Sequence, residues 1–216
     1  NIGRVLAELK AQGLDQNTLV IFTSDNGGAH YIGLDDLNKP YRGWKATFFE
    51  GGTRVPFFMQ LPGVIAPGSQ FTAPVSHFDI FATSAALAGV QPPADRVIDG
   101  VNLIPFARGE QGGRPHEQMF WRSGAYQVAR SGDWKLQVNE TQDKVWLFNL
   151  QDDPTEQHNL VDAEPARVKE LLAQLAEFNS QQKAPLWPSL VEAPILIDKP
   201  LNRPQTIDDE FIYWSN

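Results

Sequence analysis

Residues 18–28 read TLVIFTSDNGG, an apolar run that ends on an acid, an amide and two glycines. Asp25 and Asn26 set hard oxygen donors side by side, the ligand type that suits Ca2+ or Mg2+. Gly27 and Gly28 let the backbone turn sharply and approach a ligand closely. In open α/β sheets ligands bind just past the carboxyl ends of the strands, where this pair falls. The same four residues also read as a plain turn, because Asn-Gly is the strongest short hairpin signal. The following AHYIGLDDLNKPYRG, however, shows no partner strand of alternating pattern.

A second cluster is GWKATFFEGGTRVP, residues 43–56. Lys45 is a compact cation suited to an anionic substrate, Glu50 and Arg54 read as a supporting ion pair, and Gly51-Gly52 as a tight turn. A solvated lysine beside a structural salt bridge fits the same residues. His30 is a candidate to face substrate, against an ordinary loop role. Trp44, next to Lys45, is the aromatic best placed to touch a substrate, whereas those of MFWRSGAYQ read as packing. His77 opens a capped helix and reads as structural. DDPTEQH, residues 152–158, gathers acids and a histidine, but Asp-Pro is turn chemistry.

The elements that must position these groups follow from periodicity. Ile2, Val5, Leu6 and Leu9 share one helical face over residues 2–12, and Gly13 supplies the stop. NTLVIFTS lacks polar alternation, which suits a parallel strand covered on both faces. RVPFFMQLP is a second strand candidate. SHFDIFATSAALAGV reads as a helix with Ser76 and Asp79 in capping-box spacing, and with Ile80, Phe81, Ser84, Leu87 and Ala88 on one face. Beyond the Pro/Gly-rich residues 91–115, QMFWRSG, AYQVARSG, WKLQVN and KVWLFNL read as an antiparallel sheet. Residues 165–178 form the clearest helix, with Val168, Leu171, Leu172 and Leu175 in register. The expected organisation is an α/β portion over 1–115, an antiparallel subdomain with its helix over 116–183, and a proline-rich extended arm over 184–216. Trp187, Phe211, Tyr213 and Trp214 are that arm's candidate anchors.

The chain has 216 residues, 42% of them hydrophobic, enough for one substantial core. A net charge of −8 without a Lys/Arg cluster argues against a nucleic-acid partner. No apolar run is long enough for a membrane span. Without cysteine, disulfides, thiolate metal sites and a cysteine nucleophile are excluded within this chain. A start at Asn1 rather than methionine reads as a fragment or processed product. Asn139-Glu140-Thr141 fits a glycosylation sequon, a triplet common by chance.

Taken together, TLVIFTSDNGG and GWKATFFEGGTRVP resemble the C-terminal part of a formylglycine-dependent sulfatase, arylsulfatase-like, within the alkaline phosphatase-like superfamily. IGRVLAELKAQGLDQNTLVIFTSDNG and VSHFDIFATSAALAGV resemble the elements around that family's metal site. ARSGDWKLQV and LFNLQDDPTEQHNL resemble its C-terminal sheet. The resemblance implies a fold that is part of an alkaline phosphatase-like sheet with flanking helices, plus a small antiparallel sheet packed by a helix. It implies that Asp25 and Asn26 ligate Ca2+, in preference to Mg2+, and that Lys45 contacts the sulfate or its bridging oxygen. The implied substrate is a sulfated small molecule or carbohydrate, and the implied location periplasmic or secreted.

The family's nucleophile, a Cys or Ser in C/S-x-P-x-R oxidised to formylglycine, has no counterpart here. It is expected in an N-terminal half of the same protein, so this chain alone is expected to be inactive. Two rivals stand beside this reading: a phosphodiesterase or phosphonate hydrolase of the same superfamily, and a non-catalytic binding module with a degenerate site.

Overall fold

The computed structural model describes residues 1–34 and 36–215, and the chain divides into two compact units, each drawn from two stretches. Residues 1–23 and 56–117 form the first, and residues 24–55 and 118–216 the second.

In the first unit, helix α1 spans Ile2–Ala11. Gly13, at φ 67°, ends it, with Gly13 N–H donating to Lys10 O and Leu14 N–H to Leu9 O, the double bond of a Schellman stop. Strand β1, Val20–Thr23, pairs with β2, Phe57–Gln60, in antiparallel register with Val20 opposite Gln60. That corrects the expectation of a parallel strand covered on both faces. Phe22 and Phe58 lie 45% and 63% exposed and meet ring to ring at 6.1 Å, a cross-strand pair.

Helix α2 spans Asp79–Leu87. The Asp79 carboxylate accepts the Ser76 amide at 2.7 Å and the Val101 amide at 2.8 Å, fully buried beside His116 Nε2 at 2.8 Å. This acid therefore ties the helix start to a later loop. The buried side of α2 is Asp79, Ala82 and Thr83, while Phe81 and Leu87 of the expected apolar face are exposed. The α1 face behaves likewise, since none of its residues is buried.

The second unit is layered. Strands β3 (Gln118–Ser123), β4 (Tyr126–Ser131), β5 (Trp134–Asn139) and β6 (Lys144–Asn149) form an antiparallel meander in that order. Helix α3, Pro165–Ser180, starts with proline at its first turn and sets Leu171 and Leu175 against Ala129, Leu136 and Leu147. On the opposite face Tyr126, Val128, Trp146 and Phe148 pack with Phe49 and with Ile197 and Ile212.

Ile197 and Ile212 come from residues 184–216, expected as an extended arm. There β7 (Glu192–Leu196) and β8 (Phe211–Ser215) pair antiparallel into a ribbon. Trp214 packs against Phe48 and Tyr126, whereas Trp187 is 87% exposed. The ribbon also disposes of the sequon. Asn139 is fully buried and its amide donates to Tyr213 O at 2.9 Å, so once folded it presents no glycan acceptor.

Period-two geometry makes the central strand unusual. Leu136 faces α3, while Lys135, Gln137 and Asn139 point the other way, and all four are buried because both faces of the sheet are covered.

Candidate active site

The Asp25–Asn26 loop begins two residues past the end of β1, and both its residues and Lys45 belong to the second unit. Ser24 Oγ donates to Asn26 O at 2.8 Å and closes the turn. Asn26 Nδ2 donates to Gly27 O at 2.8 Å, which leaves its Oδ1 as a free acceptor. Asp25 is exposed, and its carboxylate makes no hydrogen bond or ion pair among the described residues. Two adjacent hard oxygens of this kind fit a share of the shell of Ca2+ or Mg2+. Among the described residues no group of three or more His, Cys, Asp or Glu could hold a metal.

The back of this loop is fastened by the main chain. Gly27 N–H donates to Gly52 O at 2.9 Å. A Cβ on Gly27 would overlap Gly51 O, so only glycine lets the two backbones lie this close. The Asn38 side chain clasps Gly28 from the side, accepting its N–H at 2.7 Å and donating to its carbonyl at 2.9 Å. Lys45 N–H donates to the same Gly28 carbonyl at 3.3 Å. The two motifs, fifteen positions apart at their nearest ends, are thus joined by hydrogen bonds.

Lys45 is exposed, and its Nζ donates to Tyr31 Oη at 3.2 Å while lying 5.8 Å from that ring's centroid. Tyr31 was not singled out by sequence reasoning; the signal present was an aromatic side chain immediately after His30. Trp44 and His30 face inward. Trp44 is 3% exposed, its Nε1 donates to Leu196 O at 2.7 Å, and its ring stacks on His30 with centroids 5.0 Å apart. Burial pulls the His30 imidazole below its ordinary value, outweighing the Lys199 carbonyl and Asp198. Nδ1 lies 3.2 Å from Lys199 O and must be its donor, since a carbonyl oxygen only accepts. Here the structure gives Trp44 and His30 packing contacts, and brings Asp25, Asn26 and Lys45 onto one pair of bonded loops. Arg42 locks the same segment to the ribbon through Asp198, at 2.9 Å from Nε, and Glu210.

The expected Glu50–Arg54 pair exists only loosely, at 3.8 Å. Glu50 instead lies 2.8 Å from Lys135 Nζ, and Lys135 lies 3.0 Å from Glu156. Neither Lys135 nor Glu156 was legible as a site neighbour. Glu156 belongs to the DDPTEQH turn, where Asp153 accepts the His158 amide at 2.8 Å and the turn drives Glu156 into the interior.

The family model described as Sulfatase matches residues 1–90. The steryl-sulfatase of Rattus norvegicus is 41% identical over 160 residues, 71% of this chain and 27% of its own length. The solved structure of Ps i-CgsB is 29% identical with a TM-score of 0.76, covering 86% of this chain and 42% of that one. The chain belongs to the sulfatase family. A phosphonate monoester hydrolase of Agrobacterium radiobacter also shares the fold, at 25% identity and TM-score 0.63, covering 83% of this chain and 38% of that one. This sulfatase-family chain therefore spans about a quarter to two fifths of the length of these relatives. Its architecture is the alkaline phosphatase-like α/β type with a C-terminal antiparallel sheet.

Proposed function

We propose that this chain supplies the C-terminal side of a sulfatase active site, working on a sulfate ester of a small molecule or carbohydrate. Asp25 and Asn26 are its cation ligands, with Ca2+ the preferred ion, and Lys45 is its anion contact. The observation that carries this reading is the Gly28 carbonyl, three positions after the unpaired Asp25 in the same loop, which accepts the Lys45 amide at 3.3 Å and so ties the two motifs together. A sulfate monoester repels nucleophiles through its charged oxygens, and a bound divalent cation neutralises that charge. Lys45 adds a second positive charge, and its exposure leaves the ammonium able to meet an ester oxygen as charge builds there. Tyr31 holds the ammonium in place while leaving its own hydroxyl proton available for donation.

The nucleophile, a formylglycine in this family, is assigned to an N-terminal half of the same protein, which would also cover the apolar faces of α1 and α2. The purified chain alone is accordingly expected to turn over no sulfate ester. In the complete protein, Asp25→Ala should remove bound calcium and arylsulfatase activity together. Retention of both would refute the assignment and favour a reading in which this chain is a module that takes no part in the chemistry. The phosphonate monoester hydrolase neighbour supports one alternative, a phosphonate or phosphodiester hydrolase with the same ligands. Rates on aryl sulfate, phosphodiester and phosphonate esters separate the two.

A further inference from the structure

The interior of the second unit holds three ionisable side chains that the proposed chemistry leaves unused. The side chains of Lys135, Glu50 and Glu156 are 1%, 5% and 0% exposed. Lys135 Nζ sits between the two acids, 2.8 Å from Glu50 Oε1 and 3.0 Å from Glu156 Oε1. Gln137 Nε2 donates to Glu156 Oε1 at 3.0 Å, and Tyr126 Oη donates to Gln137 Oε1. The cluster then reaches the main chain twice. Glu156 Oε2 accepts the Glu50 amide at 2.5 Å, and Tyr126 Oη accepts the Phe48 amide at 3.0 Å.

A buried ion cluster is weak evidence for stability, because well-packed apolar residues of similar volume often do as well or better. Its bonds here all converge on one place. The two main-chain contacts flank Phe49 and lead directly into Gly51-Gly52, whose carbonyls lie against Gly27. Glu156 even occupies a left-handed backbone, φ 58°, unfavourable for a glutamate, to bring its carboxylate under the Glu50 amide. Burial pushes Glu156 up, yet every group within hydrogen-bond distance is a donor, which calls for the carboxylate form.

We propose that Lys135, Glu50 and Glu156 are positioning residues that fix the Gly51-Gly52 turn and, through the Gly27–Gly52 contact, the Asp25–Asn26 loop and Lys45. This rests on the reading that the loop holds the cation and Lys45 the anion. The transmission is mechanical. No side chain separates Gly27 from Gly51, so a displacement of the turn has nothing to absorb it. A shift of about 1 Å at reacting groups costs on the order of 100-fold in rate.

The test uses the complete protein and three variants. Glu156→Ala and Lys135→Met remove a member of the cluster, and Leu171→Ala, on α3 where it packs against the other face of the sheet, is the control for lost stability. Calcium binding is measured by titration calorimetry and kcat and KM on an aryl sulfate, at a temperature where near-UV circular dichroism shows each variant folded. Glu156→Ala and Lys135→Met are expected to weaken calcium binding about 10-fold to 100-fold and to lower kcat more than they raise KM. Leu171→Ala is expected to move the melting temperature alone. Should the first two fail to fold, Lys135→Arg keeps the charge but forces a larger planar head into the same space. A several-fold weakening of calcium binding is then expected.

Folded cluster variants that match Leu171→Ala in calcium affinity and kcat would overturn the proposal. Asp25→Ala separates the two layers of argument. If it leaves calcium binding unchanged, the reading of the loop fails; if it abolishes binding while the cluster variants resemble the control, only the positioning role falls.

Discussion

Lys45 and Lys135 carry the same ammonium in the same unit. Lys45 ends in solvent against Tyr31, and Asp25, on the loop its amide is bonded to, has no partner among the described residues. Lys135 is 1% exposed and saturated by two carboxylates. The contrast teaches that availability, rather than residue type, marks the group that can meet a substrate. A buried, fully bonded charge cannot turn toward a ligand without leaving an uncompensated partner behind. An exposed one with a single hydroxyl contact can.

Replacing the open side of the comparison should give the largest change. Asp25→Ala in the complete protein is expected to lower sulfate-ester hydrolysis by at least about 1,000-fold, since a bound cation contributes several kcal/mol to the transition state. Calcium content by atomic emission and initial rates check this together. On the closed side, Lys135→Met strands two buried carboxylates and should destabilise the fold by about 3–5 kcal/mol in urea unfolding. Lys45→Met should shift the same curve by less than about 0.5 kcal/mol. Activity should reverse that ranking for the exposed lysine, with Lys45→Ala lowering kcat by about 100-fold to 1,000-fold in a protein of unchanged melting temperature.

Acid sharpens the comparison further. Burial pushes Glu50 up, but Lys135, Arg130 and Arg54 outweigh it and hold its carboxyl below the ordinary value of 4.5. A folded-state value below the unfolded one means that its stabilisation is complete above pH 4.5 and is lost as pH falls through the folded value. The stability gap between wild type and Glu50→Gln should therefore be constant above pH 4.5 and shrink as pH falls from 4.5 through the folded value. The smallest effect is expected at Trp187, 87% exposed on the residues before the ribbon. Trp187→Ala should change stability by less than about 0.5 kcal/mol in the same assay.

The open side of this comparison was the legible side. Asp25, Asn26, Lys45 and the glycine pairs lie in two short motifs, which the Gly27–Gly52 and Lys45–Gly28 bonds join, and the 165–180 helix follows from its leucine spacing and its proline start. The closed side was hidden by the nature of a period-two pattern. WKLQVN reveals that Lys135, Gln137 and Asn139 share a face, but that face is buried only because Phe49 and the ribbon cover it. Residues 192–215 lie more than 50 positions away, and no local signal announces their arrival. Trp44 was misplaced for the same reason, its indole being claimed by Leu196 O. The antiparallel β1–β2 pair was missed because an apolar run of strand length does not carry its partner's direction.

One detail has a practical edge. Asn139 stands in a glycan-acceptor triplet but spends its amide on Tyr213 O beneath the ribbon. A sugar tree attached during secretion through a eukaryotic host would land before folding finished and wedge β8 off the sheet. Bacterial expression avoids that chemistry, and material from yeast or mammalian culture should be checked by mass spectrometry before its kinetics are believed.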